Sequence, residues 1–392
     1  MKRIKTSESG CPKAKKIAKN EEEVKKDREP QVEDVRIAFK DEIKKYKKLK
    51  LENGRKYDVQ KVLGEGVFGI VFEVFDEKKR KLAAKMMKKT DEPPDIWKIE
   101  LHILEKIATC PHENILQLIS VEKVLDPPPF CTGNVLFTNC LGPSLLDVIA
   151  KAEAYQRPDT LGSTFPIPQI RDIGRQMVSA LAHLDILGIY HLDIKPENVY
   201  FVENGAFDIR YLRNRHLAIE MKDTKIQIGD FGCSKFHKEF ESDVKPTVVQ
   251  TQNYRAPEVF IGLPYSTKSD VWSFGALMAE MYTGMLLFYG TDDESSEATQ
   301  FEMMQRVVGQ FVNRAMFRKA LLHGSDHVRK DNGILQRTAK KFEPTVPLHM
   351  NLKKFDFEAI PLFEMLKYVL ILDPELRPSF EDVANHKFFA LN

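Results

Sequence analysis

Between His191 and Asn198 the chain reads His-Leu-Asp-Ile-Lys-Pro-Glu-Asn, which gathers a carboxylate (Asp193), an ammonium (Lys195) and an amide (Asn198) in one short loop. A carboxylate can take the proton of a hydroxyl, and an ammonium can neutralise a charged group in transfer. An amide oxygen together with a second carboxylate can hold a divalent cation, and that second carboxylate is available in Asp230-Phe231-Gly232. Upstream, the turn Gly64-Glu65-Gly66-Val67-Phe68-Gly69 would let backbone N–H groups approach phosphates closely, because residues without Cβ leave room. Alone, such a turn is more often a tight hairpin than a phosphate cradle. Lys85 shifts the balance, since it stands in the apolar run Leu82-Ala83-Ala84-Lys85, where an ammonium is costly unless an anion satisfies it. The plain alternative is a lysine whose head reaches water. Phosphates, a divalent cation and a proton acceptor are together the parts of phosphoryl transfer.

These groups need a frame. From Tyr57 the sequence turns to short β-branched and aromatic runs, Tyr57 to Leu63, Ile70 to Phe75 and Leu82 to Met87, which predict strands joined by the glycine turn and by Asp76-Glu77-Lys78-Lys79. Ile96, Ile99, Ile103, Leu104 and Ile107 recur at helical spacing, with Glu100 beside the apolar face. Val135 to Phe137 predicts another strand, and Leu141-Gly142-Pro143-Ser144 opens a second part. There the stripe Ile170, Ile173, Met177, Leu181 and Leu184 predicts a helix running into the Asp193 loop. Strands first and helices afterwards point to an α+β unit with a cleft between unequal lobes. Residues 1 to 55 are dominated by Lys and Glu and have too few large apolar side chains to offset the entropy of folding, so a charged, disordered arm is expected. Its Lys13, Lys15, Lys16 and Lys19 could form a nuclear-import signal or simply a solvated run.

Composition narrows the partners. Over 392 residues, 59 basic side chains nearly cancel 57 acidic ones, so a net charge of +2 argues for neither nucleic acid nor an anionic membrane surface. Cys11, Cys110, Cys131, Cys140 and Cys233 form no Cys-x-x-Cys pair and read as reduced thiols of an intracellular protein. The first residues lack the apolar stretch of a signal peptide, and no apolar run approaches the roughly 20 residues a membrane helix needs. A soluble monomer inside the cell, with no membrane and no direct nucleic-acid contact, is expected.

The glycine turn, Lys85, the Asp193 loop, Asp230-Phe231-Gly232 and Ala256-Pro257-Glu258 follow one another in the order of the eukaryotic protein-kinase signatures, and the chain resembles that family over about residues 56 to 392. The resemblance implies a bilobal fold, with a small β-rich N-lobe over about 56–140 and a large helical C-lobe over about 141–392, working on ATP with Mg²⁺. It implies that Asp193 accepts the substrate hydroxyl's proton, that Lys195 neutralises the transferred phosphoryl group, and that Asn198 and Asp230 hold the metal. Lys85 would hold the α- and β-phosphates while paired with Glu100. Leu63, Gly64, Glu65, Gly66, Val67, Phe68, Gly69, Val71 and Ala83 would surround the nucleotide. The hinge Thr138-Asn139-Cys140 would meet adenine through backbone groups, and Phe137 would close the rear of the pocket. Glu258 and Arg377 would form a buried ion pair, and Asp270 would anchor the backbone of the Asp193 loop. His191, with no chemical task, is expected to be a buried structural residue.

Finer features are similar to the LAMMER, or CLK, kinases of the CMGC group. They are Leu141-Gly142-Pro143-Ser144-Leu145, the insert from Phe201 through Lys225, the run Thr247 to Glu258, and Phe301-Glu302-Met303-Met304-Gln305-Arg306 as a diverged form of the name-giving motif. The DYRK and pre-mRNA-processing kinases remain alternatives, as do a pseudokinase scaffold and a small-molecule phosphotransferase of the same fold. The resemblance implies nuclear, dual-specificity enzymes acting on basic, arginine/serine-rich splicing factors. Glu197 beside the substrate path, with Glu239, Glu241, Asp243, Asp292, Asp293 and Glu294 farther off, could attract such substrates. Leu192 and Gln252 stand where many such kinases carry arginines that clamp an activation-segment phosphate, and Val248 stands where DYRK kinases carry their phosphotyrosine. An activation segment that needs no phosphate is therefore expected.

Overall fold

The computed structural model describes residues 46–66, 69–89, 96–128, 131–212, 215–237, 249–289, 296–323, 348 and 357–390. Six strands, β1 (Lys48–Lys50), β2 (Lys56–Glu65), β3 (Gly69–Phe75), β4 (Lys81–Lys88), β5 (Leu118–Lys123) and β6 (Cys131–Asn139), form one antiparallel sheet in the order β1-β2-β3-β4-β6-β5. The helix α1 (Ile96–Thr109) lies between β4 and β5 in sequence.

Alternation along the strands gives the sheet two different faces. Leu82, Ala84 and Met86 of β4 join Ile70, Phe72, Val74, Val135 and Phe137 in one apolar cluster, while Met87 and Leu136 belong with Ile103, Leu104 and Ile107 of α1 in the large core that continues into the helical lobe. The first cluster also contains Leu49 and Leu51, both fully buried. A strand at Lys48–Lys50 therefore belongs to the folded sheet, although it lies before the expected edge of the arm at 55. Burying each leucine stabilises the sheet by about 1.5–3 kcal/mol, enough to order a strand whose other side chains are lysines.

The second lobe starts with α2 (Leu145–Glu153), whose N-cap Ser144 and N3 residue Asp147 bond reciprocally to each other's backbone N–H groups. After β7 (Gly162–Thr164), the helix α3 (Ile167–Ile186) buries the anticipated stripe of Ile170, Ile173, Met177, Leu181 and Leu184. Short strands β8 (Ile189–Tyr190) and β9 (Val199–Phe201) flank the Asp193 loop, and the insert forms a hairpin, β10 (Phe207–Tyr211) with β11 (His216–Met221), whose second strand lies parallel to β7. The strand β12 (Ile226–Ile228) pairs with β9, and β13 (Lys235–Phe236) with β8, which brackets Asp230 between two small ladders. The helix α4 (Pro257–Phe260) precedes α5 (Thr267–Thr283), which is buried nearly all round and ends at Gly284 in a left-handed turn. Helices α6 (Ser296–Val308), α7 (Arg314–His323) and α8 (Ile360–Val369) follow. No helix among the described residues is long and apolar enough to cross a membrane.

Candidate active site

Lys85 shares its sheet face with Val71, directly across the ladder on β3, and with Ala83 two residues earlier on β4. Its Nζ lies 2.5 Å from Glu100 Oε1 on α1 and 3.6 Å from Asp230 Oδ1. Burial opposes the ammonium, yet the two carboxylates outweigh it and hold its pKa above the ordinary lysine value. Burial likewise works against the charged form of Asp230, but Lys85 and the Gly232 N–H keep that carboxyl below its usual range. The backbone at Asp230 is left-handed (φ 61°), a conformation costly for a residue with a Cβ and typical of functional turns.

The Asp193 carboxylate is held from four directions. Oδ1 accepts from the Thr251 hydroxyl at 2.7 Å and from the Thr251 N–H at 3.2 Å, while Oδ2 accepts from Lys195 Nζ at 2.9 Å and Asn198 Nδ2 at 3.1 Å. Lys195 Nζ also donates to the Thr251 hydroxyl at 2.9 Å. Burial would lower the Lys195 pKa, but Asp193 more than compensates and raises it. Asn198 spends its amide nitrogen on the Asp193 carboxylate and on the Asp193 carbonyl at 2.8 Å, which leaves Oδ1 as the atom it can offer a cation.

The loop itself is fixed from below. Asp270, on the first turn of α5, accepts the backbone N–H groups of His191 and Leu192, each at 2.8 Å. Burial pushes this carboxyl up to about 7, although both N–H bonds favour its charged form. His191 is fully buried: Nδ1 accepts the Asp193 N–H at 3.2 Å, so the neutral ring donates from Nε2 to the Gly229 carbonyl, also at 3.2 Å. Burial depresses its pKa and keeps it uncharged, in the structural role expected of it.

A single carboxylate and a single amide oxygen make no protein cage for a metal, and no group of three or more His, Cys, Asp or Glu side chains among the described residues could form one. Mg²⁺ suits such a site, because it retains waters and takes phosphate oxygens beside one or two protein ligands. Asp230 and Asn198 fit the ion in this sense.

A family model for the protein kinase domain matches residues 57–389. The chain belongs to the protein kinase family. Among curated kinases it is 29% identical over 342 residues to the dual specificity protein kinase lkh1 of Schizosaccharomyces pombe, covering 85% of this chain and 47% of that one. It is 28% identical to the serine/threonine-protein kinase AFC2 of Arabidopsis thaliana, over 86% of this chain and 77% of the relative. It is also 28% identical to the dual specificity protein kinase CLK2 of Homo sapiens, over 86% and 64%. The chain thus spans about half of the first relative and just under two thirds of the third. The crystal structure of the PF14_0431 kinase domain superposes with a TM-score of 0.72 at 27% identity, covering 88% of this chain and 97% of that one. This kinase is a divergent relative of the LAMMER/CLK dual-specificity group.

The kinase departs from expectation at the rear of the nucleotide pocket. Across the ladder from β4, Lys85 faces Leu136, Ala84 faces Phe137 and Ala83 faces Thr138. Directly opposed residues share a face, so Phe137 points away from Lys85. It is fully buried and stacks on Tyr57, with ring centroids 4.5 Å apart. Phe137 is therefore a core residue of the far face, and the side chain beside Ala83 on the pocket face is Thr138. On the Lys85 face β6 presents Leu136 and Thr138 rather than an aromatic ring. Cys140 follows the end of β6, with Sγ 4.0 Å from Glu73 Oε2 on β3, and burial raises its pKa.

At the glycine turn, Gly66 N donates to Gly69 O at 2.9 Å, and a Cβ at Gly69 would lie 2.7 Å from the Met86 carbonyl, which requires glycine there. Lys88 of β4 bonds Glu65 Oε1 at 2.7 Å and the Gly66 carbonyl at 3.0 Å, so the Glu65 side chain braces the turn. Leu63 stands half-exposed just before it. Val67 and Phe68 lie outside the described residues, as do Thr247, Val248 and the distal acidic residues Glu239, Glu241, Asp243, Asp292, Asp293 and Glu294.

Glu258 and Arg377 form the expected ion pair, bidentate at 2.9 Å for each arm and fully buried on both sides. Two residues that sequence reasoning did not single out also shape this surface. Glu280 of α5 accepts the Tyr254 hydroxyl at 2.6 Å, and burial pushes its carboxyl up to about 7, with the Glu197 charge adding to the rise. Gln250 is buried beneath the segment that carries Thr251. Glu280 belongs to no signature run, Gln250 has no assigned role within the run Thr247 to Glu258, and only the folded chain brings their partners to them.

Proposed function

We propose that this protein transfers the γ-phosphate of ATP to serine or threonine hydroxyls in basic protein segments. One observation carries the reading: Lys85 is already paired with Glu100 at 2.5 Å while lying 3.6 Å from Asp230, so the charges that would meet the phosphates and the metal lie side by side. Asp193 would orient the incoming hydroxyl and take its proton as oxygen bonds to phosphorus. Lys195, already bonded to Asp193 and Thr251, would present its charge to the group in transfer. Lys85 would hold the α- and β-phosphates, and the backbone of the glycine turn would cover them. Mg²⁺, bound through Asp230 and Asn198 Oδ1, would neutralise charge on the phosphate oxygens.

Preference for basic substrates is supported by Glu197 and Glu280, which are close enough for one to raise the pKa of the other. A substrate guanidinium would relieve that repulsion. Arginine/serine-rich splicing factors and a nuclear setting are what the resemblance to the LAMMER/CLK kinases implies, and they belong to the same proposal. The test is incubation of purified protein with labelled ATP, Mg²⁺ and matched serine peptides rich or poor in arginine. Strong labelling of the arginine-rich peptide, absent in Asp193→Asn, is expected. Equal labelling of both peptides would remove the basic preference, and no labelling of either would remove the transferase reading.

A further inference from the structure

Gln250 combines features rarely found together. Its backbone is left-handed (φ 66°), and its side chain is almost wholly buried. All of the amide's main bonds are made inside the protein: Nε2 donates to Ser273 Oγ at 2.9 Å and to the Ser269 carbonyl at 3.1 Å, and Oε1 accepts the Ala256 N–H at 2.9 Å. Both serines lie on α5, a helix buried nearly all round. They are tied in turn to neighbouring parts of the platform, Ser273 Oγ donating to the Tyr254 carbonyl at 2.7 Å and Ser269 Oγ to Glu258 Oε1 at 2.6 Å. The Gln250 carbonyl accepts from the Arg255 guanidinium at 3.3 Å.

The next residue is Thr251, whose hydroxyl and N–H both meet the Asp193 carboxylate. A plug in α5 and a contact to the reacting carboxylate are therefore consecutive residues of one strand of chain. The segment beyond is tied as well, with Gln300 of α6 donating to the Gln252 carbonyl at 2.8 Å. The loop residue Leu192 is fully buried and has no charge to offer a phosphate.

We propose that Gln250 is a positioning residue that seats Thr251 against Asp193 through neutral hydrogen bonds to α5, and that this seat orders the end of the activation segment without a phosphate. The inference rests on the phosphoryl-transfer reading above. A buried amide suits the task because each bond it loses strands a polar partner with no water to replace it. The left-handed backbone is retained because the side chain over-determines it.

Two variants isolate the amide. Gln250→Glu keeps the shape but places a second acceptor against the Ser269 carbonyl, and Gln250→Gly keeps the left-handed backbone without strain while deleting the side chain. Turnover and KM for ATP and for peptide are measured on phosphatase-treated protein, with binding of a fluorescent nucleotide as the check that the fold persists. Treated wild type should turn over within about twofold of untreated protein. Both variants should lose about tenfold or more in kcat, with KM for ATP and nucleotide binding within about threefold, because Lys85 and the glycine turn are untouched. A variant that keeps kcat within twofold, or a variant that loses ATP affinity in proportion to kcat, would overturn the positioning role. A tenfold loss on phosphatase treatment of the wild type would overturn the phosphate-free ordering. If wild type itself binds nucleotide but phosphorylates nothing, the transferase reading fails instead.

Discussion

Arg377→Met should destabilise the helical lobe far more than its position, distant in sequence from every reacting group, suggests. The guanidinium is 1% exposed and makes both arms of the Glu258 pair, and it also donates to the carbonyls of Lys268, Ile371 and Leu372. Methionine fills part of the volume and none of the bonding. Glu258 then keeps one bond, from the Ser269 hydroxyl, and stays fully buried with an uncompensated charge. Breaking a buried pair from one side in this way costs about 3–5 kcal/mol. At roughly 2–3 °C per kcal/mol for a domain of this size, the melting temperature should fall by roughly 6–15 °C. The assay is thermal unfolding of Arg377→Met, Glu258→Leu and the double variant. Because the double variant strands no charge, its loss should fall well short of the sum of the single losses. Strictly additive losses would show that the two side chains stabilise the fold independently and would refute the assignment of the pair as a coupled unit.

Lys85→Met, Asp193→Asn and Asp230→Asn should each cut turnover by about a hundredfold or more, with cooperative unfolding retained. Substantial Mg²⁺-dependent activity in Asp230→Asn would remove that residue as a metal ligand. Thr138→Gly should admit ATP analogues enlarged at the adenine amine, whereas Phe137→Gly should cost about 3–5 kcal/mol of stability and admit none. Analogue use by the Phe137 variant would mean that the sheet face has been misassigned. Glu280 titrates near 7 when folded and at its ordinary lower value when unfolded, so its contribution is complete below about 4.5 and is lost as pH rises through about 7. Glu280→Gln should therefore flatten the fall of melting temperature between pH 5 and 8, and parallel profiles for wild type and variant would contradict this.

The candidate residues that the fold gathers were legible in the sequence because phosphoryl transfer calls for specific residue types at short spacings, and Asp193, Lys195 and Asn198 fall within one loop. The helix bearing Ile170 to Leu184 was legible for a different reason, since one face is buried and the other wet, and periodicity records the difference. The face of Phe137 was not. In β6 four consecutive residues, Val135 to Thr138, are buried, so alternation carries no sign, and only the register against Lys85 tells one face from the other. Gln250 and Glu280 were invisible because a lone polar residue gains meaning from what packs on it, and their partners Ala256, Ser269, Ser273 and Tyr254 sit on other elements. The strand at Lys48 did leave a trace, with Leu49 and Leu51 two residues apart, but the surrounding lysines hid a pattern of period two behind the composition of an arm.

That strand lies outside the span by which kinship is measured. Kinship, measured by the family match, begins at residue 57, while the sheet needs Leu49 and Leu51 to close its outer cluster. A protease that cut between residues 51 and 56 would leave every signature of the family untouched and yet free the strand from one side of its anchoring. The sheet would then depend on a non-covalent fragment for its last wall, and its integrity would become a matter of concentration. The sheet thus relies on residues that the family match does not reach, and the exposed link between the two lies within reach of cleavage.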